Sequence, residues 1–209
     1  MKVKICGITN QQDADAAIEA GADALGFIFH HASSRYINPI DAGKIIRTMP
    51  ADVMPVGVFV NAPREEVLGV INDIGLGCIQ LHGDETPLET QGFPVPVWKA
   101  FSVRPNFDPG ELKRFPVAAY LLDAYAKGLR GGTGQTFDWS IAQDAKRFGR
   151  IVLSGGITPE NVIEAIRSAQ PYAIDVNSGV EVSPGKKDKQ KLHRLFATIK
   201  SERGSACSS

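Results

Sequence analysis

The feature that most constrains this chain is a repeated alternation of short apolar runs with amphipathic segments. Runs rich in Val, Ile, Leu and Phe recur at Val3 to Cys6, Ala24 to Phe29, Val56 to Val60, Cys78 to Leu81, Val95 to Phe101, Val117 to Leu122, Ile151 to Leu153 and Ala173 to Val176. They are mostly continuous instead of alternating, as expected of strands covered on both faces in a parallel sheet. The intervening segments carry helix punctuation. Asp13 to Ala20 is stopped by Gly21, and Thr158 to Ile166 has Thr158 as N-cap and Pro159 at the first helical position. The starts of the runs lie roughly 18–33 residues apart, close to the minimum for a βα unit. Eight such units predict an α/β chain folded as a single (β/α)₈ TIM barrel, with its active site at the C-terminal ends of the strands. A doubly wound open sheet would typically use about five or six strands and has no reason to reach eight.

With 209 residues the chain is long enough for one large core. The reading places the catalytic barrel at 1–200 and a disordered, small and polar tail at 201–209. The 23 Lys+Arg balance 23 Asp+Glu, so there is no electrostatic surplus to hold a polyanion or an anionic bilayer, and neither nucleic acid nor membrane is expected as a partner. No apolar run approaches the roughly 20 residues of a membrane span, and the N-terminus enters a strand directly, which reads as a cytoplasmic protein. Cys6, Cys78 and Cys207 are odd in number and lie in no CxxC or Cys/His cluster, so neither a disulfide framework nor structural zinc is expected. His30 and His31 are adjacent and need not converge on a metal.

Several residues fall where a barrel points its strand ends into a site. Cys6 ends the first run, although a free cysteine is more often a small buried hydrophobe. Asp123 ends the sixth, where a cap or turn residue is the ordinary alternative. Together they offer one potential thiolate base and one potential carboxylic acid on the same rim. Leu153-Ser154-Gly155-Gly156-Ile157 follows the seventh strand, and Asp175-Val176-Asn177-Ser178-Gly179-Val180-Glu181 spans the end of the eighth and the loop after it. Glycine-rich loops after strands 7 and 8 commonly make a phosphate cup from backbone N–H groups. A third glycine-rich stretch, Gly128 to Gly134, is placed to close over the same ligand; its GGTG lacks the following Lys-Ser/Thr of a nucleotide P-loop. Arg35 lies in a long loop where a guanidinium fork suits a carboxylate, with a solvated surface role as the alternative. His82 ends the fourth run, as a substrate contact, a supporting residue or a satisfied structural histidine.

Taken in order, Lys4-Ile5-Cys6-Gly7-Ile8-Thr9, Gly26-Phe27-Ile28-Phe29 with Ser34-Arg35-Tyr36, Gln80-Leu81-His82-Gly83, Leu121-Leu122-Asp123, Gly131-Gly132-Thr133-Gly134, Leu153-Ser154-Gly155-Gly156-Ile157 and Asp175 to Glu181 resemble phosphoribosylanthranilate isomerase of tryptophan biosynthesis. The likeness runs from residue 2 to about 200. One departure is Ser34, where the family often has proline. The resemblance implies an Amadori rearrangement of N-(5-phosphoribosyl)anthranilate to 1-(2-carboxyphenylamino)-1-deoxyribulose 5-phosphate, with no metal or organic cofactor. It implies Asp123 as the acid, with a pKa raised by burial, and Cys6 as the base, with a pKa lowered from about 8.5. Arg35 would hold the anthranilate carboxylate, and the backbone at Gly155, Gly156, Ser178 and Gly179 the phosphate. His82, Gly132 and Asp175 complete the substrate-binding set, and the assembly is a monomer or homodimer. The competing readings are another phosphosugar barrel enzyme, such as an epimerase or synthase, and a silent phosphate sensor, which would need neither Cys6 nor Asp123.

Overall fold

The computed structural model describes residues 1–104, 106–124 and 139–205. Strands β1 (Lys2–Cys6), β2 (Ala24–Ile28), β3 (Met54–Phe59), β4 (Cys78–Leu81), β5 (Val97–Val103), β6 (Ala119–Ala124), β7 (Ile151–Leu153) and β8 (Ala173–Val176) pair in chain order, and β8 returns to β1 to close the barrel. Every pairing in it is parallel. All eight strands thus coincide with the apolar runs of the sequence. Around them lie α1 (Gln11–Ala20), α2 (Pro39–Ile46), α3 (Arg64–Ile74), α4 (Ser140–Ala145), α5 (Val162–Ala169) and α6 (Lys189–Ser205). None of the helices of the described residues is long and apolar enough to cross a membrane.

Local chemistry explains the helix ends. The Asn10 and Asn38 side chains accept hydrogen bonds from the N–H groups of Asp13 and Asp41, each at 2.9 Å, satisfying donors that the first helical turn leaves open. Gly21 ends α1 with φ of 112°, a conformation that glycine reaches without Cβ strain.

The strict side-chain period of a strand sorts the residues into two cores. Outward positions such as Val3, Ile5, Leu25, Phe27, Phe59 and Leu122 pack with the helices in the main cluster. Inward positions Ala24, Val56, Cys78, Trp98, Ala100, Ala119, Leu121, Val152 and Ala173 fill the lumen in a second cluster.

Four features differ from the sequence reading. The regular βα alternation fails twice: β4 leads to β5 through turns without a helix, because Gly83, Pro87, Gly92, Pro94 and Pro96 break any helical run, and β5 is followed by a 3₁₀ segment, Pro109–Arg114. Helix α5 starts at Val162, not at Pro159, because Thr158 Oγ1 accepts from Glu160 N at 3.2 Å and closes a separate turn ahead of the helix. The short antiparallel pair β9 (Glu181–Ser183) and β10 (Lys186–Lys187) was not foreseen. Helix α6 continues through residue 200, where the sequence reading ended the barrel, to Ser205.

Candidate active site

At the C-terminal ends of the strands the inward positions open into one cavity. Cys6 from β1, Ile28 from β2, Val58 from β3, Gln80 from β4, Asp123 from β6 and Asp175 from β8 line it. His82, Ser154 and Asn177, each just beyond its strand, and His30, Ser33, Arg35 and Val60 complete the wall. The period of two brings them together: Gln80 and His82, or Asp175 and Asn177, are consecutive inward positions. Five residues singled out in the sequence, Cys6, Arg35, His82, Asp123 and Asp175, therefore share one cavity. Gly155, Gly156, Ser178 and Gly179 lie in the adjoining loops after β7 and β8. Gly132 falls outside the described residues.

Cys6 pairs in register with Gly26. A Cβ on Gly26 would lie 2.7 Å from Cys6 Sγ and 3.0 Å from Lys4 Cε, so the glycine leaves the room in which both side chains stand. The thiol environment differs from the expectation of a lowered pKa. Burial pushes the Cys6 thiol up and the Asp175 carboxylate adds to this, while the ammonium groups of Lys4 and Lys187 pull it back only in part. The cysteine therefore rests as a thiol. Lys4 itself is 1% exposed. Burial disfavours its ammonium, but the Asp175 carboxylate opposes that cost through its charge and its hydrogen bond, and the Lys4 pKa stays above the ordinary lysine value, which makes Lys4 a fixed cation in the lumen. Its Nζ donates to Asp175 Oδ1 and to Gln80 Oε1, both at 2.9 Å.

Asp123 is 4% exposed, and His82 Nε2 lies 3.4 Å from its Oδ2. On the other side of the imidazole, Gln80 Nε2 is 2.8 Å from His82 Nδ1. The loop carrying His82 is held by a buried ion pair: Lys99 Nζ is 3.0 Å from Glu85 Oε2 and donates to the Gly83 carbonyl at 2.9 Å, while Glu85 accepts from the N–H groups of Gly83 and Asn61.

Arg35 is not free. Its Nε and Nη2 bind Glu181 at 3.0 and 2.7 Å, and Lys187 Nζ meets the same carboxylate at 2.9 Å and Asn177 Oδ1 at 3.1 Å. Burial raises the Glu181 pKa, but Arg35 and Lys187 more than offset it and hold the carboxyl below its usual range. The fork expected to clamp a ligand thus spends its Nε edge on Glu181, and the Nη1 end alone has no protein acceptor among the described residues. Gly7, with φ of 74°, lies against this cluster: a Cβ there would come within 2.7 Å of Asn177 Oδ1 and 2.9 Å of Arg35 Cδ.

The two loops beyond β7 and β8 touch backbone to backbone. A Cβ on Gly179 would overlap the carbonyl oxygen of Ile157, so only glycine permits the approach. Gly155 and Gly156 adopt φ of 86° and 64°. Between them these loops present N–H groups of Gly155, Gly156, Ser178 and Gly179 that donate to no acceptor among the described residues.

Sequence reasoning missed Lys4, Gln80, Glu181 and Lys187 as parts of the site. A signal existed for the first two, which are polar residues inside apolar runs, two positions before Cys6 and His82. None existed for the others, because the β9–β10 pair carries them in from beyond the barrel.

The family described as N-(5'phosphoribosyl)anthranilate (PRA) isomerase matches residues 3–198. A protein of Citrifermentans bemidjiense named N-(5'-phosphoribosyl)anthranilate isomerase is 51% identical over 199 residues, covering 95% of this chain and 97% of that one. The crystal structure of phosphoribosyl anthranilate isomerase from Thermus thermophilus superposes with a TM-score of 0.90 at 40% identity, over 97% of this chain and 100% of the other. A phosphoribosyl anthranilate isomerase in complex with reduced 1-(o-carboxyphenylamino)-1-deoxyribulose 5-phosphate is similar with a TM-score of 0.85 at 40% identity, over 96% and 99% of the two chains. A parallel barrel matched by one family along nearly its whole length, with a half-identical relative, leaves a single assignment: the chain belongs to the N-(5'-phosphoribosyl)anthranilate isomerase family.

Proposed function

We propose that the protein isomerises N-(5-phosphoribosyl)anthranilate to 1-(2-carboxyphenylamino)-1-deoxyribulose 5-phosphate in tryptophan biosynthesis, with Asp123 as acid and Cys6 as base. The observation that carries the reading is that a buried carboxyl group and a buried cysteine, from β6 and β1, open into one cavity. Asp123 gives its proton to the furanose ring oxygen. The C1′–O4′ bond breaks, and the aryl nitrogen supplies the electron pair of the resulting iminium. Cys6 then takes the C2′ proton, whose electrons neutralise the iminium to an enolamine, and tautomerisation yields the ketone. The thiol first releases its own proton to solvent, and Asp123 regains one from solvent when the product leaves. Lys4, Lys187 and the iminium charge favour the thiolate against its burial.

The two ends of the substrate carry anions, and the site offers a receptor for each. The Nη1 end of Arg35 suits the carboxylate, and the N–H groups of Gly155, Gly156, Ser178 and Gly179 suit the phosphate. Anchoring both ends fixes C2′ between base and acid. His82, Gly132 and Asp175 belong to the proposed binding set as well. The test is to incubate the protein with freshly generated phosphoribosylanthranilate and follow the loss of anthranilate-type fluorescence. Turnover is expected for the native chain, and a fall of on the order of 10²-fold or more in kcat for Cys6→Ser and Asp123→Asn. A folded Cys6→Ser protein with native turnover removes the base assignment.

A further inference from the structure

We infer that Gln80 is a positioning residue that locks His82 in the Nε2–H tautomer and so keeps the acid proton of Asp123 on the oxygen that faces the substrate. The inference rests on the proposed role of Asp123 as general acid.

The chain of contacts starts at Lys4. An ammonium has donors only, so the atom of Gln80 that sits 2.9 Å from Lys4 Nζ is the amide oxygen. The amide NH₂ is then the group 2.8 Å from His82 Nδ1, and Nδ1 must accept. A proton on Nδ1 would face that NH₂ group, donor against donor. Neutral His82 therefore carries its hydrogen on Nε2, the atom 3.4 Å from Asp123 Oδ2, a long contact of the kind that shortens when substrate binds. Three side chains on the inner faces of β1 and β4 and in the loop after β4 decide which way one imidazole donates. Gln80 and Lys4 are each 1% exposed, so bulk solvent does not reach either side chain.

The consequence for Asp123 is directional. When the 3.4 Å contact closes around the substrate, Nε2–H donates to Oδ2, and the proton of the neutral acid is left on Oδ1. Once that proton has gone to the ring oxygen, the same N–H stabilises the carboxylate. With the other tautomer, the Nε2 lone pair would compete for the proton and draw it away from the substrate. Fixing the tautomer of an imidazole through its far nitrogen is a general means of assigning proton roles. Here the end of the chain is a carboxylic acid, and the cation that sets it, Lys4, is held in place by Asp175 at 2.9 Å.

The test reads the tautomer directly. In protein labelled with ¹⁵N-histidine, long-range proton–nitrogen spectra separate the Nε2–H and Nδ1–H forms, and the chain has only four histidines to assign. The native protein is expected to show the Nε2–H form for His82. In Gln80→Glu, which keeps the shape and turns the donor into an acceptor, Nδ1 is expected to gain a proton and kcat to fall by about tenfold or more, with KM changed less than kcat. If the added carboxylate prevents folding, Gln80→Met removes donor and acceptor together and is expected to give mixed tautomers with a smaller loss of kcat. A native His82 protonated at Nδ1, or a Gln80→Glu or Gln80→Met protein with native tautomer and native kcat, overturns the inference. The spectrum needs no turnover, so failure of the relay is distinguishable from failure of the assigned reaction.

Discussion

Along several strands of this barrel the character of the lumen changes within two residues. On β4 the inward position passes from Cys78 to Gln80, on β6 from Leu121 to Asp123, on β8 from Ala173 to Asp175, and after β7 from Val152 to Ser154. Two residues span only about 6.6 Å of strand. The N-terminal half of the lumen is apolar and buried, and its contribution is stability. The C-terminal half holds Lys4, Gln80, Asp123 and Asp175, all nearly inaccessible, and each polar group there depends on a named partner. The difference teaches that the chemistry lies directly on the core: the lower layers exclude water from below, and the electrostatic contacts above act in a medium that screens them weakly.

The largest effect should come from breaking the upper half. Lys4→Met leaves Asp175 as a buried carboxylate without its cation, a type of loss that costs about 3–5 kcal/mol of folding stability. Denaturant unfolding would measure it, and Asp175→Asn in the same background should recover part. A loss below about 1 kcal/mol would place that layer among solvated ion pairs and dissolve the contrast between the two halves.

The lower half makes the opposite forecast. Leu121→Ala removes apolar volume from a fully buried position and should cost about 2–5 kcal/mol, while kcat of the folded fraction stays close to native. If kcat falls in step with stability, the two layers are coupled and the division by function fails.

Arg35→Ala should have the smallest effect, at the edge where lumen meets loop. Loss of one charge-assisted contact to a carboxylate, worth roughly 1.5–3 kcal/mol, lowers kcat/KM by about one to two powers of ten. The melting temperature should move little, because Glu181 keeps Lys187 at 2.9 Å. Inhibition by inorganic phosphate should be unchanged, since the proposed phosphate cup lies at the other end of the ligand. Lysine should restore only part, because a point charge cannot bind Glu181 along one edge and a ligand along another. Unchanged kcat/KM in Arg35→Ala would assign the carboxylate to a different group.

How much was legible before the structure follows the same line. The eight strands could be read from continuous apolar runs, since a strand covered on both faces has no polar side to show. Cys6, His82 and Asp123 could be read because each ends such a run. The start of α5 was misplaced because the Thr158 hydroxyl, a fair N-cap in the linear sequence, is used to close a preceding turn. The pKa of Cys6 was expected to fall, but the depth of its burial depends on how the barrel closes around it.

Sequence alone determined the barrel, the order of its strands and the rim on which the candidate residues lie, because each rests on local pattern: a continuous apolar run for a strand covered on both faces, glycine where a helix stops, and a polar residue at the end of an apolar run. Only the tertiary structure decided who partners whom. Closure of β8 onto β1 places Asp175 against Lys4, 171 residues away in sequence. The β9–β10 pair turns Glu181 onto Arg35, 146 residues away, and the contact of β4 with the lumen centre sets Gln80 between Lys4 and His82. These contacts fix charge, tautomer and orientation, and no local pattern records them, because a Coulomb or hydrogen-bond term depends on distance in space and on burial, not on separation along the chain.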